Sequence, residues 1–201
     1  PAIQTLKEIV DSGEIGAITA IDAEFCFSVP FDADHRLFSP DLGGGAMLDV
    51  GIYPISLAYF LLGDPQQITG SVVKCATGVD ESSEYVFGYA SGSVCRLRAA
   101  IRRESANTAE IVGDGGSIRL PAEWWQADSL IVETESGSRQ IDRPIGGHNF
   151  VYEAVEVGRC IRAGLLESAV MPLDETIRIM TTMDTLRRQY GISYPCELAL
   201  V

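Results

Sequence analysis

"SEYVFGYASGSVCRLRAAI", Ser83 to Ile101, alternates apolar and polar residues on both sides of Ser91-Gly92. Alternation among β-branched and aromatic residues predicts two strands, and the turn residues between them predict an antiparallel hairpin. The signature recurs in "QITGSVVKCAT" before this stretch and in "TAEIVG", "GSIRL" and "SLIVETE" after it, with turns at Gly113-Asp114-Gly115-Gly116 and Ser136-Gly137-Ser138. A β meander is therefore expected. Upstream, "AITAIDAEFCFSV" (Ala17 to Val29) reads as one more strand, and the spacing of Ile3, Leu6, Ile9 and Val10 predicts a helix over Ala2 to Asp11. Two helices close the chain, from about Asn149 to Ala163 and from Leu173 to Tyr190. Strands in a run flanked by separate helices predict an α+β fold: a predominantly antiparallel open sheet with helices packed on one face.

With 201 residues, 46% of them hydrophobic, the chain supports one substantial core, so a single domain over residues 1–201 is expected. The formal charge of -13, from 28 acidic against 15 basic residues, repels a phosphate backbone or an anionic membrane. No basic run exceeds the pairs Arg102-Arg103 and Arg187-Arg188, so neither nucleic acid nor membrane is an expected partner. Five cysteines, an odd number with no C-x-x-C pair, fit neither a disulfide framework nor a zinc site; no metal is expected, and a cytoplasmic setting is the simplest reading. No basic-then-apolar leader is visible, nor an uninterrupted apolar run of about 18 residues. "PAIQTLKEIVDSGEIG" enters a helix directly from a proline, without an initiator methionine, as a piece of a longer protein would.

The stretch that packing alone does not explain is "LGGGAMLDVGIYPISLAYFLLG", Leu42 to Gly63. It follows a loop of about 15 residues, "PFDADHRLFSPDLGGG", and loops of that length in compact domains are commonly functional. On a helix, Asp49, Tyr53, Ser56 and Phe60 share one face, while Leu48, Ile52, Ile55, Tyr59 and Leu62 form a second row for the core. Pro54 removes a hydrogen bond to the Val50 carbonyl; Gly51 beside it relieves the clash, so a kinked continuous helix is expected. Proline and glycine inside a helix cost about 3 and 1 kcal/mol relative to alanine, so something must offset them. One reading makes Asp49 a cap of a helix that starts late and Tyr53 an ordinary half-buried aromatic. The other makes Tyr53 a general acid/base and Asp49 a group that positions a hydroxylated substrate, with Gly44 and Gly45 giving cofactor and substrate close access to the helix start. A tyrosine needs a neighbouring cation to ionise near neutrality. The lysines are Lys7 and Lys74 alone, and the nearest loop candidates are His35 and Arg36, so the cation is expected from outside the chain.

"GDGGSI" (Gly113 to Ile118) lacks a third glycine and leads into a strand, so it reads as a hairpin turn, and the chain contains no Rossmann half. Trp124 and Trp125 either cover the sheet edge or line a pocket; His148, in "IGGHNFVYEA", either helps cap the helix that follows or contacts substrate.

"GGGAMLDVGIYPISLAYFLLGDP" resembles the second signature of the Gfo/Idh/MocA oxidoreductases, a glycine-rich start followed by D-x-G-x-(H or Y), and "VGDGGSIRLP" and the closing helices are similar to the sheet and helices of the same enzymes. The form "DVGIYP" is closest to the branch containing dimeric dihydrodiol dehydrogenases, NADP-dependent xylose dehydrogenases and glucose-fructose oxidoreductase. The resemblance implies a two-domain enzyme with an N-terminal Rossmann domain that binds NAD or NADP, this chain being the C-terminal substrate-binding and oligomerisation domain. It implies that Asp49 and Tyr53 bind the substrate and transfer its proton, that Trp125, more than Trp124, belongs to the substrate pocket, and that Arg36 lies near the active-site loop. The family's Glu-Lys-Pro lysine and glycine-rich cofactor loop are absent here and would come from the other domain.

The expected function is thus that of the catalytic-residue-bearing half of an NAD(P)-dependent oxidoreductase of a sugar, polyol or dihydrodiol, inert as an isolated chain. A homodimer or higher homo-oligomer through the open sheet face is expected. The alternative is a non-catalytic sugar-sensing regulator or binding domain of the same fold.

Overall fold

A computed structural model describes residues 1–198. Its elements are α1 (Ala2–Ser12), β1 (Ile18–Cys26), a π turn (Met47–Gly51) running into α2 (Ile52–Leu62), and strands β2 (Gln67–Lys74), β3 (Asp80–Gly88), β4 (Val94–Ala100), β5 (Ala109–Gly113), β6 (Gly116–Leu120), β7 (Ser129–Thr134) and β8 (Gly137–Asp142). Helices α3 (Val151–Arg162), α4 (Leu173–Gln189) and the single turn α5 (Pro195–Leu198) follow.

The Ser83–Ile101 alternation is the β3–β4 hairpin, with Tyr85 opposite Leu97 and Phe87 opposite Cys95, all four fully buried. The eight strands form one sheet in the order β2-β3-β4-β1-β5-β6-β7-β8. The expected meander is split by β1, which lies parallel to β4 and antiparallel to β5. Alternation in β1 buries Ile21 and Ala23 whichever strands flank it, so local sequence does not encode this insertion. A side chain seals it: Asn107, at φ 55, accepts the Cys26 N–H at 2.7 Å and donates to the Cys26 carbonyl at 2.9 Å, standing in for a strand where β1 ends. Strand β8 is absent from the sequence reading because it is an edge strand in which only Ile141 is half-buried, so its residues carry little apolar pattern.

Helix α2 packs on β1 and β4, α4 on α2 and β2, and α1 on β7, so the helices cover one face of a largely antiparallel sheet. The other face carries charges in register: Arg98 reaches Asp22 at 2.6 Å and Glu24 at 3.1 Å from the neighbouring strand. The stretch Pro40–Leu62, interrupted by Asp49 and the glycines, is long and apolar enough by length and composition to cross a membrane, with a mean hydropathy of 1.5 over its most apolar window. Its apolar character has an internal use here, for 56% of its most apolar window is buried, and α2 sets Ile55, Leu57, Ala58 and Tyr59 into the core. All five cysteines are unpaired.

Candidate functional site

The helix through Pro54 is continuous, as expected, but the irregularity that admits the proline is a π turn. Its i to i+5 bonding resets the register so that Pro54 falls in the first turn of α2, where a missing N–H has no partner to lose. The reset also breaks the expected row. Tyr53, Ser56 and Phe60 line one cavity together, whereas Asp49, on the far side of the π turn, is not among its lining residues and pairs with the loop instead. Arg36 Nη1 donates to Asp49 Oδ1 at 2.6 Å, with the Arg36 side chain 64% and that of Asp49 21% exposed. Gly51 is needed for a different contact from the one expected: a Cβ there would lie 2.9 Å from the Tyr85 hydroxyl.

Gly44 and Gly45 are both buried, and the demand for glycine comes from the chain itself. A Cβ on Gly44 would lie 2.8 Å from the Arg36 carbonyl oxygen. At Gly45, with φ +118, it would lie 2.4 Å from Asp80 Oδ1. Close packing of the chain against itself is thus what requires glycine at both positions. Asp80 is completely buried; its Oδ2 accepts the Met47 N–H at 2.7 Å and the Ser83 hydroxyl at 2.6 Å, which ties the start of the π turn to β3. Burial pushes its carboxyl above the ordinary aspartate value. Nothing in the sequence pattern marks Asp80, since an aspartate opening a strand usually faces water.

Tyr53 stands 37% exposed, and among the described residues its hydroxyl makes no hydrogen bond. Its ring meets Phe25 edge-on at 5.1 Å and Trp125 at 6.4 Å, and Trp125 lies flat on Phe25. The tryptophan pair divides its work. Trp124 is buried and its Nε1 donates to the Glu24 carbonyl at 2.9 Å, while Trp125 remains half-buried at the site. Phe25 was missed by sequence reasoning; the available signal was its place at the end of β1, on the core-facing side with Ile21 and Ala23.

Two openings meet at Tyr53 and Trp125. A mainly apolar cavity of about 500 Å³ runs from these rings past Phe60 to Ile3 and Met171. A smaller, more polar cleft of about 380 Å³ is lined by Gln126, His148, Asn149 and Glu153 on their other side. The His148 ring is exposed, 5.0 Å from Phe150, and its carbonyl accepts the Val151 N–H at 3.0 Å, so any part in starting α3 is played by its backbone. Of the cations considered for Tyr53, Lys7 is bonded to Asp11, Lys74 to the Gly191 carbonyl, and Arg36 to Asp49. Among the described residues no three His, Cys, Asp or Glu side chains are grouped to hold a metal ion.

Comparison with known proteins agrees with this architecture. The family model described as the GFO/IDH/MocA C-terminal domain matches residues 3–119, more than half of the chain. Over 205 residues the chain is 32% identical to a trans-1,2-dihydrobenzene-1,2-diol dehydrogenase of Danio rerio, covering 96% of this chain and 60% of that protein. It is 28% identical to a D-xylose 1-dehydrogenase (NADP(+)) of Hypocrea jecorina, covering 94% of this chain and 57% of the relative. The chain thus spans about three fifths of the length of the curated relatives it matches. Among solved structures, an aldose-aldose oxidoreductase of Caulobacter crescentus complexed with glycerol superposes with a TM-score of 0.79 at 16% identity, over 94% of this chain and 59% of that one, a likeness of fold. The chain belongs to the GFO/IDH/MocA family and carries its C-terminal domain.

Proposed function

We propose that this chain is the substrate-side domain of an NAD(P)-dependent oxidoreductase that acts on a sugar, polyol or related diol, with a nucleotide-binding domain outside residues 1–201. The relatives that suggest the substrate class are a diol dehydrogenase and an NADP-dependent sugar dehydrogenase. The observation that carries the reading is the placement of Tyr53: an exposed phenol without a hydrogen-bond partner among the described residues, at the junction of an aromatic wall and a polar cleft.

When bound, a nicotinamide cofactor supplies the hydride chemistry. Cofactor binding is assigned mainly to the nucleotide-binding domain, and the work assigned to this chain is substrate binding and proton transfer. Tyr53 exchanges a proton with the reacting hydroxyl as general acid/base. Asp49, held through Oδ1 by Arg36, accepts a second substrate hydroxyl through Oδ2. Trp125, backed by Phe25, offers a ring face to the C–H face of the substrate, and Arg36 and His148 donate at the rim. The uncovered sheet face is the surface for self-association.

The deciding experiment is a screen of sugars, polyols and diols with NAD and NADP on the full-length protein, alongside Tyr53→Phe. Reduction of one cofactor by a hydroxylated substrate, lost in the variant, is expected. Sugar binding without any cofactor reduction would assign the protein to the sensing class instead.

A further inference from the structure

Tyr53, Trp125 and Glu153 each line both openings of the site. The first two have work in the proposed reaction, and Glu153 has none. It stands exposed in the first turn of α3, and among the described residues its carboxylate makes no hydrogen bond or ion pair. Glu156, on the next turn, is by contrast tied to Arg159 and Ser168. The helix dipole favours a carboxylate in a first turn wherever it faces, so the position of Glu153 acquires meaning only from its surroundings. Asn149 Nδ2 donates to Gln126 Oε1 at 3.1 Å, and Gln126 Nε2 donates to Glu123 Oε2 at 2.7 Å. These bonds fix both amides and leave Asn149 Oδ1 without a partner among the described residues. The polar cleft thus has two unused acceptors, Glu153 and Asn149 Oδ1, among the residues that line it beside the phenol.

We infer that Glu153 is a specificity-determining residue: its carboxylate accepts a substrate hydroxyl remote from the reacting carbon, so the site takes a sugar or polyol with three or more hydroxyls in preference to a dihydrodiol. The inference rests on the oxidoreductase reading proposed above. The aromatic wall does not discriminate, since the Trp125 face suits the C–H face of a sugar and the ring of a diol alike. Hydroxyl count does. Tyr53 and Asp49 together engage two hydroxyls, which are all that a dihydrobenzenediol has. Its ring then covers the Glu153 carboxylate and strips its water without replacing it. A sugar brings a further hydroxyl that restores the bond, and the charged acceptor makes that bond a strong one. Because Glu153 lines both openings, the discrimination applies to a substrate in either.

Steady-state kinetics of the full-length protein on D-xylose, D-glucose and trans-1,2-dihydrobenzene-1,2-diol, with NAD and NADP, tests this in the parent, Glu153→Gln and Glu153→Leu. The parent should show a higher kcat/KM on a sugar than on the diol. Glu153→Leu should lower that ratio about 10- to 100-fold, through a rise in the KM for sugar. Glu153→Gln, which keeps an oxygen acceptor, should fall between the two. A carboxylate that serves only the helix dipole would shift thermal unfolding and leave the ratio unchanged, which overturns the inference. A parent that prefers the diol overturns it as well, with the oxidoreductase reading intact. If neither cofactor is reduced, calorimetry with the same compounds separates the two readings. Sugar binding that weakens in Glu153→Leu then retains the selection by Glu153 and sinks the oxidoreductase reading alone, and binding that does not weaken overturns the inference.

Discussion

Trp125 lies face to face on Phe25, with ring centroids 3.5 Å apart and planes 6° from parallel, and Tyr53 closes the cluster edge-on to both. One face of the indole is thereby committed to the protein, and the ring is held without a hydrogen bond of its own among the described residues. A double-mutant cycle of Phe25→Leu and Trp125→Leu should give a coupling of about 0.5–1.5 kcal/mol in denaturant unfolding. Additive effects would mean that the stack contributes nothing beyond burial. In the full-length protein Trp125→Leu should raise KM roughly tenfold, the equivalent of about 1.4 kcal/mol of lost contact.

Tyr53→Phe removes an oxygen that bonds nothing among the described residues, so stability should stay within about 0.5 kcal/mol of the parent. Turnover, if the phenol transfers the proton, should fall by about 10² to 10⁴. An unchanged rate and pH–rate profile would take Tyr53 out of the mechanism.

The Arg36–Asp49 pair bridges the long loop and the π turn with a largely exposed arginine. Exposed pairs contribute about 0.2–1 kcal/mol, so Arg36→Ala should move Tm by no more than about 4 °C. Its larger effect should be on KM, since Asp49 loses the group that orients it. A variant with unaltered KM and kcat would show that the pair plays no part in binding.

Asp80 is a buried carboxyl whose Oδ1 lacks a partner among the described residues, beside the Tyr85 hydroxyl, which also lacks one. Burial raises its folded-state pKa above the ordinary 3.8. Its stabilising contribution is therefore complete below that value and is lost as pH rises through the folded pKa. Asp80→Asn cannot ionise and keeps an acceptor for Met47 and Ser83. It should match the parent in thermal unfolding below about pH 4 and exceed it increasingly toward neutrality. Asp80→Ala, which leaves the Met47 N–H unpaired, should lose about 1–3 kcal/mol. A pH-independent difference between Asp80→Asn and the parent would contradict the assignment.

The open sheet face should make the full-length protein a dimer by light scattering, and Val86→Asp, at an exposed position on that face, should shift it toward monomer. A monomeric parent at tens of micromolar would exclude that face as an interface.

Much of this was legible locally. Alternation through Tyr85, Phe87, Cys95 and Leu97 names the strands and their buried side, because each side chain's direction follows from its own backbone. The α1, α3 and α4 limits follow from period and end signals in the same way. The spacing of Asp49, Gly51, Tyr53 and Pro54 marked the one helix that packing alone would not have produced. Its sequence could not show that a π turn separates Asp49 from Tyr53, because a helical wheel assumes uniform bonding and the reset depends on Asp80 and Tyr85, strand residues that reach the turn from β3. The place of β1 between β4 and β5 likewise rests on pairings between residues some 75 positions apart, Ala20 with Val94 among them. So does the stack of Phe25 on Trp125, which brings the ends of two distant segments into one wall. The sequence by itself determined the elements, their buried faces and the candidate residues, which are properties of neighbours along the chain. The tertiary structure alone decided which of those residues meet, since that depends on closing long loops around a shared core.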